Sequence, residues 1–112
     1  MGGLNSFHEF ALEQLGRVTR VTAKRMFGGV GIYADGLFFA LMDDAALWLK
    51  VDDTNRPDFT ALGLGPFEPD GPGGPTMQYY PVPEEVLEDP ESLRPWVEKA
   101  LDVARRAKKK RR

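Results

Sequence analysis

The sequence predicts an α+β domain built as two layers, an antiparallel sheet with helices mainly on one face. Apolar residues recur at helical spacing near both ends of the chain. Hairpin signals link several strands between those ends, and glycine and proline mark the turns. Hairpin-linked strands with helices between the groups are typical of this class. The predicted order is helix, three strands, helix, one or two strands, helix.

The first helix is marked by its N-terminal cap. Ser6 and Glu9 match the S-x-x-E capping box, in which each side chain satisfies a backbone N–H that the helix leaves free. Apolar residues from Phe7 to Leu15 then follow helical spacing, and Gly16 suits the end of the helix.

The central strands follow. Thr22–Tyr33 is predicted as one extended segment, in which the glycines indicate a bulge or a close backbone approach. Asp35-Gly36 predicts a tight hairpin, because both central residues of a type I′ turn need positive φ. Leu37–Met42 is the next strand, and after a second turn the chain returns along Ala46–Val51.

Three segments come before the last helix. Asp53 or Thr54 is predicted to cap a short helix, with Gly63 supplying a left-handed exit. Residues 65–75 contain four prolines and four glycines and predict a loop. Thr76–Val82 predicts a further strand, because it is rich in aromatic residues.

The last helix has the clearest pattern, a single apolar stripe at helical spacing. The stripe consists of Leu93, Trp96, Val97, Ala100, Leu101 and Ala104. Its start has two alternatives. Either the helix begins at Ser92, or it begins at Asp89 and bends at Pro95.

The central strand raises a question about the second face of the sheet. When helices cover one face and water meets the other, a strand should alternate apolar and polar residues. Leu37–Met42 is apolar at every position, and Trp48 points away from its two leucine neighbours. Tyr79 and Tyr80 likewise place an aromatic ring on each side. The pattern predicts an exposed apolar patch on the second face.

Exposed patches of this kind usually mark interaction sites, and large apolar side chains supply most binding energy there. We expect a second copy or another protein to bind this face. The predicted anchors of that interface are Phe38, Met42, Trp48 and Tyr80. The alternative is that the sheet curls, or that loop 65–75 folds over the face and leaves a closed monomer.

Composition limits the number of domains, the possible metal ligands and the cellular location that the sequence predicts. The 112 residues fit one domain. The chain has no cysteine, which excludes disulfides and cysteine-ligated metals. No apolar run approaches the ~20 residues that cross a bilayer, and the N-terminus lacks the layout of a secretory signal. We expect a cytoplasmic protein that does not bind a membrane.

The net charge of −2 conceals an asymmetry. A domain of residues 1–104, with 8 bases against 17 acids, is predicted to precede a basic tail of residues 105–112. The cations of the tail are Arg105, Arg106, Lys108, Lys109, Lys110, Arg111 and Arg112. Such a tail can contact nucleic-acid phosphates. Alternatively, it is a solvated helix end, where the macrodipole favours cations.

Few residues suit catalysis or cofactor binding. Ser6 and Ser92 both lie at predicted caps, and His8 is predicted to be solvated, so a catalytic triad is not indicated. Asp43-Asp44 and Asp52-Asp53 are explained by turn and cap chemistry better than by a cation site. We expect no catalytic residue, no cofactor and no metal.

Three blocks of sequence resemble the N-terminal domain family of TfoX (Sxy), a competence regulator. They are RMFGGVGIYADGLFFAL, LWLKVDDTNRPDF with the following GLGPF, and VPEEVLEDPESLRPWVEKAL. The resemblance runs from Val18 to Leu101 and implies an α+β domain similar to the two-layer folds of secretion chaperones. Many of those pair through their sheets or helices. Full-length competence regulators carry a second, C-terminal domain, so this chain is expected to be a stand-alone single-domain member. The resemblance implies no catalytic residues.

These observations predict a non-enzymatic regulatory or protein-interaction module, homodimeric and related to the competence-regulator domain. The alternative is a nucleic-acid accessory protein that is tethered through its basic tail.

Overall fold

A computed structural model describes residues 4–26 and 28–110. Five antiparallel strands form one sheet in the order of the chain, each paired with the next. The strands are β1 (Thr22–Met26), β2 (Gly29–Ala34), β3 (Leu37–Met42), β4 (Leu47–Lys50) and β5 (Tyr79–Pro81). Four helices, α1 (Ser6–Gly16), α2 (Arg56–Thr60), α3 (Glu84–Leu87) and α4 (Pro90–Lys110), complete the domain. The predicted α+β class is confirmed.

The predicted single extended segment from Thr22 to Tyr33 is wrong, because it folds into two strands. Gly28 adopts φ 77°, a left-handed conformation that reverses the chain between β1 and β2. Gly29 begins β2 so close to β3 that a Cβ there would lie 2.5 Å from the Met42 carbonyl oxygen. The glycines therefore make a hairpin turn and a close strand contact instead of a bulge inside one strand.

The second hairpin agrees with the sequence. Asp35 and Gly36 have φ values of 52° and 75°, as the predicted tight turn requires. Beyond α2, Gly63 has φ 77° and supplies the predicted left-handed exit. The strand predicted over Thr76–Val82 is shorter, because only Tyr79–Pro81 joins the sheet.

Two predicted helix caps are displaced along the chain. Asn5, not Ser6, caps α1, and its side chain accepts a hydrogen bond from the His8 backbone N–H. The short helix α2 begins after Asn55 instead of Asp53 or Thr54. All four residue types accept hydrogen bonds readily, so a local pattern identifies the neighbourhood of a cap more reliably than its residue.

The last helix starts according to the second of the two predicted alternatives. Asp89 precedes α4, and its carboxylate accepts hydrogen bonds from the Glu91 backbone N–H and the Ser92 hydroxyl. Pro95 then lies inside the helix. A fourth helix, α3, precedes α4 and was not predicted.

The helices and one face of the sheet enclose the core. The stripe of α4 packs across β3 and β4, and α1 contacts α4 beside them. Phe39, Leu49, Leu93 and Val97 are completely buried in this layer. The helices lie on this side of the sheet. The opposite face, here called the outer face, is the second face on which the sequence predicts an interaction patch.

Candidate functional site: the outer face of the sheet

A β-bulge in β3 determines which of its side chains lie on the outer face. Ile32 pairs with Ala40 and Tyr33 with Phe38, so Phe39 is an extra residue in β3. Phe39 and Ala40 are both completely buried, whereas in a regular strand neighbouring side chains point to opposite faces. The bulge exchanges the two faces for every residue of β3 that follows it.

Two of the four predicted anchors, Met42 and Tyr80, point into the core, and the bulge explains the first of them. Met42 pairs with Val30 and Leu47 and is only 1% exposed, within the core. Leu41, half-buried, occupies the outer face in its place. The sequence carries no signal that locates a bulge inside an unbroken apolar strand. The prediction therefore assumes that the side chains of β3 alternate regularly between the two faces.

Tyr80 is the second misplaced anchor. It pairs with Leu49, which is completely buried, and its ring lies 5.4 Å from that of Phe59. Tyr79 takes the outer position opposite Lys50. The prediction that the two tyrosines occupy opposite faces holds, but the assignment of each tyrosine is reversed.

The outer face carries a row of aromatic rings. Tyr33 stacks on Phe38 with ring centroids 5.1 Å apart, and Phe38 contacts Tyr79 at 6.0 Å. The Lys50 ammonium lies 5.2 Å from the centre of the Tyr79 ring and donates a hydrogen bond to its hydroxyl. Burial, with a smaller contribution from Tyr33, raises the pKa of Tyr79 to about 12.

Trp48, a predicted anchor, lies on the outer face but is partly covered by its own chain. The Phe67 ring is 4.8 Å from the indole, and Phe67 forms an isolated β-bridge with Met77. The indole Nε1 donates to a carboxylate oxygen of Asp43 at 3.2 Å. The alternative that loop 65–75 folds over this face therefore holds at Trp48.

Beside Trp48 the outer face remains open as a cleft of about 430 Å³. We call it the methionine cleft, and its apolar lining residues are Met26, Val30, Phe38, Leu41, Met42, Phe67, Pro69 and Met77. Met26 and Phe38 close over Gly31, where a Cβ would lie only 2.7 Å from the Met26 methyl. Methionine adapts its shape easily, so these walls suit an apolar partner surface.

The methionine cleft carries almost no charge. Asp43 is the ionisable residue among its lining residues. One of its carboxylate oxygens accepts hydrogen bonds from the backbone N–H groups of Ala45 and Ala46, and the other accepts from Trp48. Asp43 therefore serves its own turn, as predicted, and leaves the cleft apolar.

His8 differs from its prediction, because it is buried, not solvated. Its Nδ1 accepts a hydrogen bond from the Asn5 backbone N–H, so Nε2 donates to the Asp43 carbonyl oxygen at 2.8 Å. The ring thus ties the start of α1 to the turn between β3 and β4. Both nitrogens are engaged in structural bonds.

The second acidic pair also serves a turn. Asp52 accepts hydrogen bonds from the Thr54 backbone N–H and hydroxyl, and it pairs with Arg106 at 3.0 Å. Burial raises the pKa of Asp52, but these hydrogen bonds and the guanidinium charge outweigh it and hold the pKa below its usual value. Among residues 4–26 and 28–110, no three His, Asp or Glu side chains converge as a metal site.

The basic segment continues α4. The helix runs through Lys110, so the boundary predicted after Ala104 falls within it. Arg105 pairs with Asp102. Lys108, Lys109 and Lys110 are exposed in the last turn. The predicted tail residues Arg111 and Arg112 lie outside the described residues.

The fold and the outer face define a class: an α+β domain with helices on one face of its sheet and an open apolar cleft on the other. The sequence model of the TfoX N-terminal domain family matches residues 13–104, which is most of the chain. The chain therefore belongs to the TfoX N-terminal domain family, and it is a competence-regulator-like domain. No curated protein matches it. None of the helices in the described part is long and apolar enough to cross a membrane.

Proposed function

We propose that this protein is a non-enzymatic interaction module that forms a homodimer through its outer face. The observation that carries the proposal is the methionine cleft, an apolar opening on the sheet face opposite the helices. Apolar walls of this kind lose contact with water when a partner packs on them, and that burial is favourable.

Charge favours a second copy as the partner. A symmetric dimer brings the same patch of both protomers together, so any charge in the patch would meet its own copy. Repulsion within the methionine cleft is limited to Asp43, its one ionisable lining residue, whose carboxylate accepts three hydrogen bonds from its own chain. Lys24 and Lys50 lie outside this lining, against the rings of Tyr33 and Tyr79. The half-buried rings of Tyr33 and Phe38 add residue types that are common at interfaces, and the buried ring of Tyr79 packs against Phe38.

The groups that could act in catalysis support a non-enzymatic role through their bonding. His8 uses both ring nitrogens to join α1 to the β3–β4 turn, and Ser92 donates its hydroxyl to Asp89. These contacts stabilise local structure instead of presenting a base or a nucleophile at the cleft.

The oligomeric state tests the proposal. Light scattering after size exclusion should give twice the chain mass, and the double variant Leu41→Glu/Met77→Glu should weaken dimerisation by about tenfold or more, because each protomer gains two desolvated charges. Met77 is 40% exposed, so the fold tolerates its replacement.

Leu62→Glu is the surface control and adds one charge, since Leu62 is 57% exposed and lies beside Trp96 and Lys99 of α4. It should leave the dimer intact. A chain that is monomeric at about 100 μM, or a dimer that Leu62→Glu disrupts equally, would overturn the proposal.

A second candidate, nucleic-acid binding, has one observation in its favour. Lys108, Lys109 and Lys110 are exposed at the end of α4, where they can reach phosphates. We place it second because the neighbouring Arg105 and Arg106 are paired with acids of the body.

A further inference from the structure

The strand β1 offers an edge that differs from the outer face in both geometry and charge. Within the described residues β1 pairs with β2 alone, and the sheet order places it at one end. The first four of its five side chains are exposed. An edge strand presents backbone N–H and C=O groups that can pair with one more extended strand.

Charge is unevenly distributed around this edge. Residues 14–34 contain four cations, Arg17, Arg20, Lys24 and Arg25, and no acid. They are half of the 8 bases among residues 1–104, which also hold all 17 acids of the chain. Arg17 is balanced by Glu13 at 3.1 Å, while Arg20 and Lys24 are exposed beside the edge. An acidic body thus carries a basic strip along β1.

The edge strand and the basic strip together determine which kind of partner segment can bind there. A lysine on an edge strand discourages pairing with a like-charged strand, and two copies of β1 would oppose their cations. An extended segment that carries acidic residues would instead gain both ladder hydrogen bonds and cross-strand ion pairs. Lys24 pairs across with Gly31 and so shares the outer face with Met26. A sixth strand would therefore place alternate side chains beside Lys24 and Met26.

We propose that the free edge of β1 is a docking site for an extended acidic segment of a partner protein, which adds to the sheet as a sixth antiparallel or parallel strand. The edge adjoins the homodimer surface at Met26, and the Lys24 ammonium lies 5.9 Å from the centre of the Tyr33 ring. Light scattering therefore accompanies each binding measurement, so that failure of strand addition is distinguished from failure of the dimer.

A synthetic peptide tests the site on the full chain. The probe is an end-capped decapeptide that alternates glutamate and valine, followed by fluorescence anisotropy and by backbone amide shifts. It should bind with amide shifts centred on β1, and raising the salt from about 50 to about 300 mM should weaken it several-fold.

Two charge-reversal variants then distinguish binding at the β1 edge from general attraction of the peptide by positive charge. Arg20→Glu/Lys24→Glu should weaken binding of the peptide by about tenfold or more, whereas Lys108→Glu/Lys109→Glu, the same charge change at the end of α4, should stay within about twofold. Equal losses in the two variants would overturn the proposal.

Two further probes separate strand addition from attraction between charges. The same peptide N-methylated at alternate residues keeps its charge but cannot form the ladder, and it should bind about tenfold more weakly or worse. Equal binding of the N-methylated peptide would overturn the proposal. So would binding of a DNA duplex, but not the peptide, in a manner abolished by Arg20→Glu/Lys24→Glu.

Discussion

At the residue scale, side chains that looked ordinary in the sequence hold distant segments together. Asp43 fixes the β3–β4 turn with its carboxylate, orients Trp48, and accepts from His8 through its carbonyl oxygen. The His8 bond spans 35 residues of sequence, and Asn5 adds a side-chain bond to the Asp44 carbonyl beside it. A local pattern cannot reveal such a partner, which is why His8 was predicted to be solvated.

Tyr79 should make stability depend on pH in the alkaline range. Burial raises its pKa to about 12 in the folded protein from the ordinary tyrosine value of 10.0, so folding favours the neutral phenol. The contribution is therefore complete below pH 10 and falls as the pH rises through the folded pKa, because the unfolded chain loses its proton first. Urea unfolding at about pH 9 and about pH 11 should show a smaller loss of stability for Tyr79→Phe than for the unmodified chain.

Tyr33→Phe provides the comparison for that experiment, since it removes a neighbouring phenol while leaving Tyr79 in place. Most of the alkaline loss should persist in this variant. An identical loss in Tyr79→Phe and the unmodified chain would show that the phenol of Tyr79 ionises as readily in the folded as in the unfolded state.

At the element scale, the sequence predicted those features whose cause is local. The Asp35-Gly36 hairpin follows from two residues that accept positive φ, and α4 follows from one apolar stripe. The bulge at Phe39 depends instead on how β3 aligns with its neighbours, and it decided which residues reach the outer face. Leu41 could have been found only with that alignment, and Tyr79 only with the register between β4 and β5.

The glycines show the same limit of prediction from sequence. The glycines of this segment predict a bulge or a close backbone approach, but the φ of 77° at Gly28 makes it part of the turn of a separate hairpin. A glycine permits a turn, a bulge and a close contact alike, so its type does not choose among them. The short helix α3 was missed because four residues carry too little periodicity to detect.

Pro95 should limit the stability of α4. It lies inside the helix and is exposed, and as the sixth helical residue it has no N–H to donate to the Glu91 carbonyl. Pro95→Ala restores that hydrogen bond and should raise the free energy of unfolding by about 1–3 kcal/mol. Thermal unfolding followed by circular dichroism should show a midpoint higher by roughly 4 °C or more.

Glu98→Ala is the matched control, an exposed position one turn further along the same helix. Its effect should stay within about 0.5 kcal/mol. A lower midpoint for Pro95→Ala would mean that the proline ring contributes more through its packing near Trp96 than it costs in lost helix bonding.

At the scale of the whole molecule, charge is separated over the surface. Residues 1–104 carry a net charge of −9, with their basic strip along β1, and α4 ends in a cationic turn. Within that end, Arg106 reaches back to Asp52 and Thr54, so part of its charge is neutralised by the body. The molecule thus presents an apolar cleft, a basic edge that meets the cleft at Met26, and a basic helix end that adjoins the aromatic row of the outer face.

This charge distribution predicts weak binding to nucleic acid. Arg105 and Arg106 are paired with Asp102 and Asp52, which leaves five cations of the basic segment, residues 108–112, to contact phosphates. Duplex DNA should bind at the weak end of non-specific affinity, with Kd about 10⁻⁴ M at physiological salt, and its salt dependence should be no steeper than about −4.5 in log–log slope. Fluorescence anisotropy with a labelled duplex measures both quantities.

Truncation after Ala107 should abolish that binding, because the remaining body repels the duplex. The edge variant Arg20→Glu/Lys24→Glu should retain it, since residues 108–112 are unchanged in that variant. Tight binding that survives the truncation, or a slope well beyond five phosphate contacts, would contradict this separation of surfaces and assign the DNA contact to the body itself.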